Sequence, residues 1–375
     1  MRILIFSAST GGGHKRAAAA LKEKINAVSP DSVVSVVDGL RSIGRVYDKT
    51  VCKGYYIMAT KTPKVYGKFY KVTDKKNAAY KAVMRSNAMM SEKLLEKIDE
   101  FQPDVIIMCH AFISAMVSRL KRKGQISAKV ISLITDYDSH RTYISPNIDA
   151  FVVAEPQMAA KLHEEYGVDE SKIYPLGIPT FDSFIQEGKK DEICAREGLD
   201  PDKTTVLLMA GSFGVTGVLR FYEQLAKSKS DLQLIVITGR NEKLYEKFKR
   251  HIEELGTEKN TKLLFFVDNV QDYMHVSDLI VTKPGGLTVT ESLACALPMA
   301  IYSAYPGQEL DNVKFLISQN AAILIDKELG ADQILGLLNS PGTLLDMKEN
   351  CRRLARPNAA EDIYKLALKL SGKTM

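Results

Sequence analysis

The stretch 278–312, DLIVTKPGGLTVTESLACALPMAIYSAYPGQELDN, decides the architecture. Its opening run, Leu279 to Val281, is short and uninterruptedly apolar, which fits a strand buried on both faces, as parallel sheets require. Pro284 stops that strand just after Lys283, Gly285 and Gly286 turn the chain, and helix-forming sequence begins around Leu287 to Glu291. A second apolar run, PMAIYSA, follows and ends in Pro306-Gly307-Gln308-Glu309. A buried strand that turns through glycines into a helix points unpaired N–H groups at a phosphate. Glu291, one turn into the helix, is placed to accept hydrogen bonds from ribose hydroxyls, and the polar groups at 306–309 suit sugar hydroxyls.

The same grammar opens the chain. In ILIFSASTGGGHKRAAAALKEKI, residues 3–25, a buried strand runs through Gly11, Gly12 and Gly13 into an Ala-rich helix. His14 stands at that turn, and an imidazole with an ordinary pKa near 6.5 can take a proton at cellular pH. A third glycine turn, Gly211-Ser212-Phe213-Gly214, follows the apolar run TTVLLMA and faces the same edge.

Working outward, the first half alternates ILIFSA, SVVSVVD, DVIIMCH, KVISLITD and AFVVAE with polar or amphipathic stretches. The second half restarts with TTVLLMAG, LQLIVITG, KLLFFV, DLIVTK, PMAIYSA and AAILI. Two doubly wound, Rossmann-like α/β domains in tandem are the economical reading, and 375 residues exceed what one core usually supports. We place the first domain at 1–177, a linker at 178–200 where Gly177, Pro179 and Gly188 break periodicity, and the second domain at 201–355. The final amphipathic stretch, 356–375, either finishes the second domain or crosses back onto the first.

No apolar run approaches the roughly 20 residues of a membrane span, and the start lacks a signal-peptide pattern, so a cytosolic chain is expected. The five cysteines are scattered, which argues against a disulfide framework or zinc cluster. Charge is uneven: residues 1–180 carry 27 basic and 18 acidic residues, and the rest is slightly acidic. Residues 48–97 fit neither sheet pattern and hold twelve basic against four acidic side chains, with aromatics interleaved. Lys53, Tyr55, Tyr56, Lys64, Lys68, Phe69, Tyr70, Lys71, Lys75 and Lys76 form a candidate membrane-docking set, since basic and aromatic side chains suit an anionic lipid surface. Nothing resembles a nucleic-acid module, and no nucleic-acid partner is expected.

GGGH at 11–14, TDYDSH at 135–140, GSFG at 211–214, KPGGLTVTESLA at 283–294 and PGQELDN at 306–312 together resemble the monogalactosyldiacylglycerol synthase and processive diacylglycerol glucosyltransferase family, over essentially the whole chain. The resemblance implies the GT-B fold, two facing Rossmann-like domains with an interdomain cleft. It also implies a UDP-hexose donor, a diacylglycerol acceptor, inversion at the anomeric carbon and no bound metal or other cofactor. The diphosphate would lie near Gly211, Ser212, Gly214, Lys283, Gly285, Gly286, Leu287 and Thr288, uracil against backbone around Val267 to Val270, and ribose on Glu291. Gln308 and Glu309, with Asn312 nearby, would hold the transferred sugar. Gly12, Gly13, His14, His140 and Tyr143 would line the acceptor side, Tyr143 replacing the family's usual Trp. His14 is the expected base, with Asp136 orienting it or acting as the base itself. Asp136-Tyr137-Asp138 spells a D-x-D metal clamp only superficially.

The resulting picture is a hexosyltransferase, for glucose or galactose, acting at the inner face of the cell membrane. Transfer of GlcNAc to a polyprenyl-linked peptidoglycan precursor is the related alternative, and a non-catalytic UDP-sugar sensor is the alternative of another class. The basic insert favours diacylglycerol. The number of sugars added and the oligomeric state are left open.

Overall fold

The computed structural model describes every residue except 10–11, 187, 211–216, 229 and 375, and the side chains of 55, 56, 59 and 60. The chain divides into two compact units. The first comprises Met1–Asp182, Tyr305–Asp311 and Arg356–Met375; the second comprises Ser183–Ala304 and Asn312–Ala355. Within 178–200, where the sequence suggests a linker, the chain forms the short helix Asp182–Ile185 and the helix Lys190–Glu197.

Among the described residues, the first unit holds a six-stranded sheet of β1 (Arg2–Ser7), β2 (Val33–Asp38), β3 (Val105–Met108), β4 (Lys129–Leu133), β5 (Ala150–Val152) and β6 (Ile173–Tyr174). Their order is β2-β1-β3-β4-β5-β6, every pairing parallel. Ile3, Leu4, Ile5 and Phe6 are all fully buried, because helices cover both faces and leave no side for alternation. The helix Gly13–Val28 lays Ala17, Ala18, Leu21 and Ile25 into this core. The helix Ala359–Ser371 docks on it with Ala360, Ile363, Tyr364 and Ala367, and the Tyr364 hydroxyl meets Ser32 Oγ at 3.1 Å. The end of the chain is therefore built into the first unit. Gly177, at φ +96°, lets it arrive: a Cβ there would lie 2.4 Å from Cβ of Arg356.

The second unit repeats the plan with β7 (Thr204–Met209), β8 (Leu232–Ile237), β9 (Thr261–Leu264), β10 (Leu279–Thr282), β11 (Met299–Ile301) and β12 (Ala322–Leu324). The order is β12-β11-β10-β7-β8-β9, again all parallel. Each order reverses once, between β1 and β3 in the first unit and between β7 and β10 in the second. Connections diverge at such a switch point and leave a crevice beyond the carboxyl ends of the strands.

The basic segment is an insertion between β2 and β3. It forms the helices Arg45–Lys61, Pro63–Thr73, Ala78–Met89 and Glu92–Phe101 in place of a single crossover. Among the described residues no helix is long and apolar enough to cross a membrane. The five cysteines are free thiols.

If the terminal helix is part of the first core, Ile363→Ala should lower that unit's unfolding free energy by about 2–4 kcal/mol. Lys365→Ala, on the outward face, should change it by less than about 0.5 kcal/mol. Denaturant unfolding would measure both, and equal small effects would mean the helix is not docked.

Candidate active site

The first unit's switch point gathers the candidate chemistry. β1 precedes His14, the second residue of the helix Gly13–Val28; β3 ends just before Cys109 and His110; β4 ends just before Ile134 and Thr135. Three consecutive neighbours in the sheet thus deliver His14, His110 and Thr135 to one edge. His14 Nδ1 lies 3.0 Å from Thr135 Oγ1, and the His14 and His110 rings meet edge to face with centroids 5.0 Å apart. Thr135 is in turn hydrogen-bonded to the buried Tyr143 hydroxyl. Thr135 meets His14 Nδ1, and Asp136 follows Thr135 directly in the chain.

Burial pushes the His14 pKa down to about 4, and a hydrogen bond to the Cys109 backbone opposes this only in part. The expectation of an imidazole with a pKa near 6.5 is thereby corrected: at cellular pH the His14 ring is neutral, with proton-accepting capacity intact. His110 is likewise held well below its ordinary value, by burial first and then by His14. Its Nδ1 accepts from the Phe112 N–H at 3.2 Å and caps the helix Ala111–Arg122, which fixes its orientation beside His14.

Further along the TDYDSH stretch, Asp138 and His140 are engaged by internal partners. Asp138 is paired with Lys161 Nζ at 2.8 and 2.9 Å, so its carboxylate is engaged by an internal cation. His140, expected on the acceptor side, is buried with both ring nitrogens engaged: Nε2 with the Tyr70 carbonyl at 2.9 Å and Nδ1 with Thr142 Oγ1 at 2.7 Å. Tyr70 packs over the His140 ring with centroids 4.2 Å apart. Asp74 accepts from the Arg141 N–H and the Tyr166 hydroxyl, both at 2.8 Å. These bonds fasten the helix Pro63–Thr73 to the loop 138–143.

That helix has two distinct faces. Lys64, Lys68, Phe69 and Lys71 are exposed, with Val65 and Val72 beside them; Lys53, Lys75 and Lys76 are exposed on neighbouring segments. Tyr70, assigned above to the membrane-docking set, is corrected to the opposite face. Helical spacing puts it one turn from buried Tyr66 and near buried Thr73, turned toward His140 and Gly307. The side chains of Tyr55 and Tyr56 lie outside the described residues.

Tyr305–Asp311 counts with the first unit. Gln308 Oε1 accepts from the Tyr66 hydroxyl at 2.7 Å, and Glu309 Oε2 accepts from the Tyr305 N–H at 2.7 Å.

In the second unit, β10 ends at Thr282, Lys283 is buried, and Gly285 caps the helix Gly286–Ala294. A Cβ built on Gly285 meets nothing within 4 Å, so the turn leaves room for a ligand to approach the backbone. The first N–H groups of a helix, here those of Gly286, Leu287 and Thr288, have no intrahelical partner, which suits a diphosphate. Glu291 is buried one turn on. Asn312, fully buried, donates from Nδ2 to the Pro284 carbonyl at 2.9 Å, so it holds the turn in shape. Val270 opens the short helix Val270–His275. Gly12 and Gly13 lead into His14, Gly12 as the N-cap. Gly11 and the turn with Gly211, Ser212 and Gly214 lie outside the described residues.

Thr135, His110 and Tyr66 were missed as site residues by sequence reasoning. The first two carried a usable signal, since each closely follows a buried run and must emerge at the strands' carboxyl edge. Tyr66 carried none, because its partner is 242 positions away.

A family model described as "Monogalactosyldiacylglycerol (MGDG) synthase" matches residues 14–180, and one described as "Glycosyl transferases group 1" matches 190–354. The processive diacylglycerol beta-glucosyltransferase of Bacillus subtilis (strain 168) is 30% identical over 373 residues, covering 99% of this chain and 95% of that protein. Among solved structures, MurG of Acinetobacter baumannii matches with a TM-score of 0.66 at 16% identity, covering 98% of this chain and 99% of its own. The S. aureus MnaA-UDP co-structure matches with 0.66 at 13%, covering 98% and 96%. At that identity the structural likeness shows the fold, which is GT-B. The near-complete match to the Bacillus protein shows more: the chain belongs to the family of processive diacylglycerol beta-glucosyltransferases and monogalactosyldiacylglycerol synthases.

Proposed function

We propose that this protein transfers a hexose from a UDP-sugar to diacylglycerol, with inversion at the anomeric carbon and without a resident metal. The observation that carries the reading is the pairing, in one chain, of a lipid-galactosyl synthase match over the first unit with a glycosyl transferase match over the second. Of the two hexoses, the relatives' name favours glucose. The exposed Lys64, Val65, Lys68, Phe69 and Lys71 of the helix Pro63–Thr73 suit an anionic bilayer surface, which supports peripheral action at the inner face of the membrane.

Each unit supplies one half of the chemistry. The acceptor hydroxyl oxygen bonds to the anomeric carbon as the bond from that carbon to the UDP oxygen breaks; the hydroxyl proton passes to His14. A neutral imidazole is ready for that step at any pH well above 4, and Thr135 holds its orientation. In the second unit, charge developing on the departing diphosphate is met by the start of the helix Gly286–Ala294 and by Lys283. Glu291 serves the ribose, Gln308 and Glu309 serve the sugar, and Asn312 supports the turn.

Incubating the protein with diacylglycerol vesicles and each UDP-hexose should yield hexosyl-diacylglycerol by mass analysis, equally in chelator and in magnesium. Activity lost in chelator and restored by magnesium would overturn the metal-free mechanism. Transfer only from UDP-GlcNAc to a polyprenyl acceptor would overturn the substrate assignment.

His14→Ala should lower kcat/KM by about 10²–10⁴-fold, the range for a lost general base. Thr135→Val, which keeps the shape and removes the hydroxyl, should lower kcat by about 5- to 10-fold, while Thr135→Ser retains activity. Unchanged kcat in Thr135→Val would rule out its positioning role.

A further inference from the structure

The inner face of the helix Pro63–Thr73 makes a contact that neither membrane docking nor base catalysis requires. Tyr66 is 7% exposed, and its hydroxyl donates to Gln308 Oε1 at 2.7 Å. The backbones around it approach as closely as glycine allows. A Cβ on Gly307, which sits at φ +103°, would lie 3.0 Å from Tyr70 Cδ2 and 3.3 Å from Tyr66 Cε1; one on Gly67 would lie 2.8 Å from Pro306 Cβ. Glycine on both sides of the contact, one of them in the left-handed region, makes it a built one.

We infer that Tyr66 is a positioning residue for donor recognition: by holding Oε1 of Gln308 it fixes which end of that amide meets the transferred sugar. The inference rests on the proposed function's placement of Gln308 beside the sugar. An unrestrained carboxamide turns about its last bond and presents oxygen or nitrogen with similar ease. With Oε1 held by the Tyr66 hydroxyl, the amide keeps one orientation. Epimeric hexoses place one hydroxyl oxygen differently about the ring. An amide with a single orientation discriminates between them; a turning one accommodates both. Discrimination between UDP-glucose and UDP-galactose is then set partly from a helix far from Gln308 in sequence, whose other face carries Lys64, Lys68 and Phe69 outward.

The test is calorimetric binding of UDP-glucose, UDP-galactose and UDP to the full-length protein and to Tyr66→Phe, which keeps the ring and its packing. The affinity for the preferred UDP-hexose should fall about 5- to 10-fold and the ratio between the two hexoses should shrink by a similar factor, while UDP affinity stays within about two-fold. In a Gln308→Ala background, Tyr66→Phe should add less than about two-fold, since the interaction it removes is already gone. Equal weakening of UDP, no change in any ligand, or a full-sized effect surviving in Gln308→Ala would each overturn the inference. Because binding is read without an acceptor, failure of lipid transfer with sugar-specific binding intact would count against the diacylglycerol assignment alone.

Discussion

A parallel strand can release its chain at only one edge of the sheet, and among the described residues all twelve strands obey that constraint. Everything chemically interesting follows from where the release points diverge. Between β1 and β3 the connections leave in opposite directions, and the side chains just past the strands, His14, His110 and, one strand over, Thr135, are left together. The same reversal between β7 and β10 sets the Lys283–Gly286 turn at the corresponding place in the second unit. One topological rule, applied twice, sets the His14 cluster in one unit and the Lys283–Gly286 turn in the other.

Burial then decides how these groups behave. An imidazole at a sheet edge would ordinarily divide its time between charged and neutral forms near neutral pH. Burial beside His110 keeps His14 neutral, against the opposing pull of its hydrogen bond to the Cys109 backbone, which makes it a weaker base but one in the accepting form at cellular pH. Thr135 and Tyr143 form a short chain of hydroxyls behind it, so its orientation is fixed from the protein side. The family resemblance anticipated an aromatic at Tyr143 on the acceptor side; its hydroxyl has a role that a larger indole in that place would fill differently.

Much of this was legible in the sequence, for a physical reason. Runs such as Ile3 to Phe6 and Leu279 to Val281, apolar at every position, are compatible with little besides a strand covered on both sides, and the glycines after them mark where the chain must turn. The contents of the turns were therefore readable. What escaped were properties that depend on the third dimension. The pKa of His14 is set by what lies over it. The two faces of the helix Pro63–Thr73 differ by helical phase, so a count of lysines and aromatics merged Tyr70 with Phe69, although one packs on His140 and the other is exposed. Tyr66 meets Gln308 across 242 positions of chain, and no local pattern encodes that.

His14, the proposed base, is neutral and oriented at physiological pH. A folded-state pKa below the ordinary value of 6.5 means that the unfolded chain takes up the proton first, so acidification from about 6.5 to about 4 should progressively destabilise the first unit, and stability should return as pH rises through that window. The direct measurement is the nitrogen-15 chemical shift of the His14 ring across pH, assigned by comparison with His14→Gln. The ring should stay neutral down to pH 5 and charge only near 4; titration near 6.5 would contradict a neutral His14.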